Sequence, residues 1–263
     1  MARALSSSSS GSTYFSPAPP RVFAHRGLAV AAPENTLLAF AHAIAAGAQY
    51  VETDVNDSQD GAAVIAHDPT LERVAQRRVR VDQLRISELR RIDLGYGQGF
   101  CTLAEALDAF PTTRFNIDVK SAGAVEPTVQ AILKTNSIDR VLVTSFDEKR
   151  RAAAVRALPG VATSSSAIPF ALALAGGKLG LNPVVARSLR GIPAVQVPER
   201  AGRVRVTTRN MIERLHRAGV EVHIWTINDP VRMRELLELG VDGLVTDRAD
   251  LALGVVKEFS AGR

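Results

Sequence analysis

From Val22 onward the chain alternates between two hydrophobic rhythms. Short runs rich in Val, Ile, Phe and Thr are separated by longer stretches whose apolar residues recur every three or four positions. The first rhythm suits strands, the second helices that bury one face. The strand-like runs are VFAHR (22–26), YVETDV (50–55), RFNIDVK (114–120), VLVTSF (141–146), VATSSS (161–166), AVQVP (194–198), VEVHIWTI (220–227) and DGLVTD (242–247). Helical spacing is clearest over 35–47, 125–135, 211–219 and 231–240, and three of these end on glycine, the usual residue just past a last helical turn.

Alternating β and α segments predict parallel strands joined by crossover helices. Eight such units predict an α/β fold of the (β/α)8 TIM-barrel class, with its chemistry at the C-terminal strand ends. A doubly wound open sheet would place a Gly-rich phosphate loop after the first strand, and AHRGLA lacks that spacing. One segment breaks the alternation. After the second strand come a return strand, AAVIAHD (62–68), and a charged helical turn, RISELRRI, inside a small insertion at about 69–100. An interruption of that length reads as a functional insertion or a lid. Residues 1–20 are rich in Ser and Pro and are expected to be a flexible tail before a single barrel domain at 21–263.

Composition narrows the partners. With 46% hydrophobic residues in 263, a large core is available and extensive disorder is excluded. The net charge is +5, and the basic residues are scattered apart from 76–80 and 200–205. Neither cluster is interleaved with aromatics and no nucleic-acid-binding motif occurs, so a solvated basic surface is expected and no nucleic-acid partner. Cys101 is the only cysteine, so no intrachain disulfide can form, and its setting predicts a packed, inert thiol. No apolar run reaches the length of a transmembrane segment, and residues 1–20 lack the apolar stretch of a secretory signal. A cytoplasmic protein is the expectation; the oligomeric state is left open.

The candidate chemistry lies at strand ends. Residues i and i+2 of a strand share a face, so Glu52 pairs with Asp54, and Asp118 with Lys120. Strands covered on both faces should be apolar, and buried unpaired charges are costly. Two explanations are open: an ion-pair network in which Lys120 and Arg26 neutralise the carboxylates, or a divalent cation held by Glu52, Asp54 and Asp118. An all-oxygen set suits Mg²⁺ or Ca²⁺ better than zinc. His25 ends the first strand and His67 the return strand, where Asp68-Pro69 signals a turn. Two imidazoles there suit general acid and base work, while Arg26 and Lys120 suit phosphate oxygens. His42, His216 and His223 are expected to be structural.

Together the segments AHRG, PENT, VETDVNDSQDGAAVIAHDPTLERV, FNIDVK, VHIWTIND and DGLVTDRAD closely resemble the glycerophosphodiester phosphodiesterases, over about Val22 to Asp250. The resemblance implies a TIM barrel with an insertion after the second strand and hydrolysis of a small-molecule glycerophosphodiester to sn-glycerol 3-phosphate and an alcohol, using one divalent metal ion, Mg²⁺ or Ca²⁺. It implies His25 and His67 as the acid/base pair, Glu52 and Asp54 as metal ligands, and Arg26 and Lys120 as phosphate contacts. The third ligand is commonly Glu in this family; here it is Asp118, one methylene shorter. Glu34 in PENT matches a rim position that orients Arg26 or a metal-bound water, or else serves as a helix N-terminal acid. Trp225 matches the pocket wall or fills the core, and Asn228 and Asp247 are rim contacts. The nucleophile is water or the glycerol 2-hydroxyl. Two alternatives stand beside this reading: a phospholipase-D-like lyase that turns lysophospholipids into a cyclic phosphate, and a barrel that binds phosphodiesters without cleaving them.

Overall fold

The computed structural model describes residues 13–262. β1 (Arg21–His25) leads into α1 (Leu37–Ala45), β2 (Tyr50–Asp57) and its antiparallel partner β3 (Ala63–Ile65). The insertion supplies two single turns, α2 (Glu72–Ala75) and α3 (Ile86–Leu89), before α4 (Leu103–Ala109). Then come β4 (Arg114–Val119) with α5 (Val125–Lys134), β5 (Val141–Thr144) with α6 (Glu148–Ala157), and β6 (Ala162–Thr163) with α7 (Ala167–Lys178) and α8 (Asn182–Ser188). β7 (Ala194–Pro198) is followed by a hairpin, β8 (Arg200–Ala201) and β9 (Val204–Arg205), and by α9 (Arg209–Arg217). β10 (Glu221–Trp225), α10 (Pro230–Leu239), β11 (Gly243–Thr246) and α11 (Ala249–Ala261) complete the chain.

The eight parallel strands run in the order β6-β5-β4-β2-β1-β11-β10-β7, and a parallel bridge between Ser164 and Ala194 joins the two ends. Every predicted strand run is therefore a barrel stave, and the return strand is β3. Sequence reading did not identify α6, α7, α8, α11 or the β8–β9 hairpin. For α7 the cause is plain: AIPFALALA has no polar face, so it carries no helical periodicity.

Side-chain caps set the helix starts. Thr36 accepts from the amide of Ala39 to open α1, and Thr102 and Glu105 form a reciprocal box at the start of α4. Two cores result. Outward strand positions such as Val22, Val51, Phe115, Ile117 and Val143 pack against the helices. Inward positions Phe23, Tyr50, Leu142, Ala162 and Val245 form a separate cluster inside the barrel. A third, small core of Val64, Leu71, Val81, Leu89 and Ile92 lets the insertion hold its own shape.

The barrel interior is not uniformly apolar. Glu52, Asn116 and His223 are all buried at inward positions. His223 Nε2 lies 3.0 Å from Glu221, whose other partner is Arg21, and Gln196 Oε1 accepts from Asn116 at 3.1 Å. His223 is thus structural, as expected, and so is Cys101, whose thiol burial pushes up to about 12.

Of the expected flexible tail over 1–20, residues 1–12 lie outside those described, and residues 13–20 are tied to the barrel through Tyr14 and the carbonyls of Phe15 and Pro17, which accept from Arg21. Tyr14 is fully buried. Its ring meets Tyr50 edge-on at 5.3 Å, and its carbonyl accepts from the Tyr50 hydroxyl at 2.8 Å. Composition alone hid this, because two adjacent aromatics, Tyr14 and Phe15, in a Ser/Pro-rich stretch carry no periodicity. Together with the Arg21–Glu221 pair, at 2.8 Å, Tyr14 closes the N-terminal end of the barrel. Tyr14→Ala is expected to cost about 3–5 kcal/mol in a guanidinium unfolding series. A loss below about 1 kcal/mol would show the segment to be peripheral.

Candidate active site

The first predicted feature, His-Arg-Gly at the end of β1, is a tight turn held by the neighbouring strand. Arg26 sits at φ 56° and Gly27 at φ 86°. A side chain at Gly27 would bring its Cβ within 2.6 Å of the Ala39 carbonyl carbon, so only glycine lets α1 pack this closely. The Arg26 amide donates to the Glu52 carbonyl at 2.9 Å and lies 3.2 Å from Glu52 Oε2. That turn brings the His25 ring and the Arg26 amide to the same carboxylate oxygen, Glu52 Oε2.

Both predicted histidines are anchored in the same way. His25 Nδ1 lies 2.6 Å from Asp247 Oδ1, and His67 Nδ1 lies 2.7 Å from Asp68 Oδ1. A carboxylate at Nδ1 makes that nitrogen the protonated one and leaves Nε2 as the working nitrogen of each ring. His25 Nε2 is 3.9 Å from Glu52. Burial lowers the proton affinity of His25, but the Asp247 bond and the Glu52 charge outweigh it and hold the ring above its ordinary pKa. Asp247 is in turn fixed by Asn228, which donates to it at 2.7 Å. The supporting roles of Asp68, Asn228 and Asp247 exceed the rim contacts expected for the last two.

The carboxylates and cations form one cluster. Lys120 Nζ bridges Asp54 at 2.8 Å and Asp118 at 2.7 Å. Arg26 Nε is 3.2 Å from Asp54, and Asn35 donates to Asp54 at 3.0 Å. Burial would raise Asp54, yet Lys120 and Arg26 hold its pKa low; Asp118 is raised, because burial outweighs Lys120. Glu52 is pushed up to about 8 by burial and by the charge of Asp54. Asp118 Oδ1 is buried with no hydrogen-bond partner. Among the described residues no three His, Cys, Asp or Glu side chains stand at metal-holding positions as arranged.

Glu34 Oε1 accepts from Arg26 at 2.9 Å and from Arg73 at 2.6 Å. It therefore orients Arg26, and the helix start belongs to Thr36. Arg73, on α2 of the insertion, also pairs with Asp68 at 2.6 Å. No sequence signal pointed to Arg73, which lies far along the chain from Glu34 and is brought near only by the fold of the insertion.

All of these groups except Glu34 and the supporting side chains line one cavity of about 410 Å³ over the C-terminal strand ends. Its far wall is apolar, with Phe146, Phe170, Leu174 and Trp225. Trp225 meets Phe146 edge-on at 5.9 Å and also packs on the inner barrel cluster, so it is both a wall residue and part of the core. The cavity offers paired imidazoles, two cations and buried carboxylates on one side, and an apolar surface on the other.

Comparison with known proteins gives the family. The sequence profile of the Glycerophosphoryl diester phosphodiesterase family covers residues 25–251. The chain belongs to this family. It is 42% identical over 235 residues to the probable glycerophosphodiester phosphodiesterase 2 of Mycobacterium tuberculosis, covering 89% of each chain. It is 28% identical to a glycerophosphodiester phosphodiesterase of Caldanaerobacter subterraneus subsp. tengcongensis, across 90% of this chain and 98% of that one. Among solved structures, an Oleispira antarctica phosphodiesterase in complex with the product sn-glycerol-3-phosphate superposes with a TM-score of 0.74 at 24% identity, covering 91% of this chain and 97% of the other. The molecule is an enzyme of the phosphoric diester hydrolase class, acting on glycerophosphodiesters. No helix among the described residues is long and apolar enough to cross a membrane.

Proposed function

We propose that the protein hydrolyses glycerophosphodiesters to sn-glycerol 3-phosphate and an alcohol, with His25 and His67 as the acid/base pair and a divalent cation as cofactor. The observation that carries this reading is the matched anchoring of the two rings: each has a carboxylate on Nδ1 and a free Nε2 at the same cavity. One imidazole takes the proton of the attacking hydroxyl as the new P–O bond forms. The other returns a proton to the leaving alkoxide as the old P–O bond breaks, so the net change is the addition of water. An alkoxide is a poor leaving group, so that proton matters. Arg26 and Lys120 draw charge from the non-bridging oxygens as it develops. The product bound to the Oleispira relative is the one expected here.

The donor chemistry suits a metal, although as arranged the three carboxylates do not converge on one point and Lys120 bridges two of them. Glu52, Asp54 and Asp118 are oxygen donors of the kind that Mg²⁺ or Ca²⁺ takes, and Asp118 Oδ1 is buried with no hydrogen-bond partner. Glu52, Asp54 and Asp118 would hold it, and it would act as a Lewis acid toward a phosphoryl oxygen. Release of glycerol 3-phosphate from glycerophosphocholine, followed with Mg²⁺ or Ca²⁺ and again in EDTA, tests the whole reading. Activity that persists in EDTA removes the metal, and a cyclic phosphate as the end product in ³¹P NMR favours the lyase. Either cation is also expected to raise Tm, more at pH 8 than at pH 6. Below about 8 a metal must displace the Glu52 proton, so its affinity rises with pH. A Tm that ignores both cations at both pH values would argue against a metal site.

A further inference from the structure

α7 is apolar on every side. One face packs Phe170, Ala173 and Leu174 into the protein. The opposite face exposes Ala167, Ile168, Ala171, Leu172 and Ala175, with Ile168 65% and Leu172 55% accessible. Leu179 follows at 73%, and no exposed polar side chain interrupts this face before Lys178. A contiguous apolar surface of this kind is unusual on a protein that meets only water.

Its surroundings are basic. Lys178 Nζ donates to the Arg205 carbonyl at 2.7 Å, which ties the β8–β9 hairpin to the end of α7. The hairpin exposes Arg200, Arg203 and Arg205 around Val204, itself 42% accessible. This is the basic cluster at 200–205 that catalysis leaves unused. No Asp or Glu occurs anywhere from Lys149 to Pro198. Apolar side chains edged by cations, without an acid among them, complement a bilayer whose headgroups are anionic. The cations meet phosphates while Ile and Leu side chains pass beneath them.

Other occupants fit less well. In a two-fold dimer built on this face, each copy would bring its arginine-rich hairpin to the other with no carboxylate in the face to meet it. A nucleic acid would use the arginines and leave the exposed Ile168 and Leu172 without a role. The face is also continuous with the cavity rim, to which Ala167 and Ala171 of α7 and Ala201 of the hairpin contribute.

We propose that the exposed face of α7 and the β8–β9 hairpin dock the protein peripherally on an anionic lipid bilayer, with the cavity mouth at the lipid surface. Docking is independent of which reaction the cavity performs. The test is co-sedimentation of the full chain with vesicles of phosphatidylcholine alone and of phosphatidylcholine mixed with phosphatidylglycerol. The mixed vesicles are expected to bind at least about tenfold more tightly. Arg203→Ser and Arg205→Ser should each weaken that binding by about fivefold. Ile168→Glu with Leu172→Glu should weaken it by about tenfold or more, since both side chains leave the lipid. These positions lie outside the catalytic machinery, so unchanged turnover of soluble glycerophosphocholine shows that each variant is folded. Equal binding to both vesicle types, or binding undiminished in all variants, overturns the proposal. So does a dimer that Leu172→Glu dissociates in a protein that ignores vesicles, or preferential retention of duplex DNA over mixed vesicles.

Discussion

His25→Ala is expected to lower kcat for glycerol 3-phosphate release from glycerophosphocholine by about 10²–10⁴-fold, the usual contribution of a positioned acid or base. The ring touches Asp247 and lies beside Glu52 of the neighbouring strand, so its loss removes the proposed proton carrier and leaves the strand packing in place. Asp247→Asn separates carrying the proton from tuning it. Asp247 helps hold the His25 pKa above its ordinary value, so its neutral isostere should shift the limb of the pH–rate profile set by His25 to lower pH. The fall in kcat at the optimum should be smaller than for His25→Ala. A profile that keeps its limbs in Asp247→Asn, or activity within about tenfold of wild type in His25→Ala, would assign the proton to another group.

Lys120→Met is expected to damage both stability and turnover. It leaves Asp54 and Asp118, both buried, without the ammonium that bridges them. Breaking a buried pair from one side costs about 3–5 kcal/mol, because the remaining charge stays desolvated. The pH dependence follows from the carboxylates. Asp54 is held low by Lys120, so the stability it contributes is present above its unfolded pKa and is lost as pH falls through its folded pKa. Without Lys120 the folded pKa values of both carboxylates rise. The deficit of the variant in urea unfolding, with EDTA present, should therefore be largest near neutrality and shrink in acid, where both groups are protonated in either state. Turnover should fall by about 10²–10³-fold, as for loss of one preorganised donor to a developing charge. A stability deficit that is flat with pH would mean that Lys120 does not balance these carboxylates.

The arrangement also explains a conflict in the strand pattern. Polar residues at inward strand positions looked costly because both faces of a barrel strand are covered. The protein relieves the cost by grouping them. At the top, Lys120 and Arg26 sit among Glu52, Asp54 and Asp118; lower down, Arg21 and His223 share Glu221. The ion-pair network and the metal donor set weighed from the sequence draw on the same side chains. The cations that neutralise the carboxylates also line the cavity, where the proposed reaction would use them on phosphate oxygens.

What the sequence by itself determined is the barrel, its eight staves, the insertion after β2 and the candidate residues that meet at one cavity. These follow from local rules: strand period, helix period, and polar residues at strand ends that no apolar core would tolerate. The tertiary structure decided everything that depends on partners distant along the chain. Asp247 reaches His25 only because β11 lies beside β1, and Arg73 reaches Glu34 only because the insertion folds back over α1. Tyr14 is a structural closure and not a tail residue because Tyr50 waits for it at the barrel's lower end. The uniformly apolar α7 has no period to read, and only the closed barrel shows which of its faces is covered and which is left to meet another surface. Periodicity records how a segment meets its immediate surroundings, whereas hydrogen bonds and ion pairs between strands depend on register and closure, which no single segment encodes.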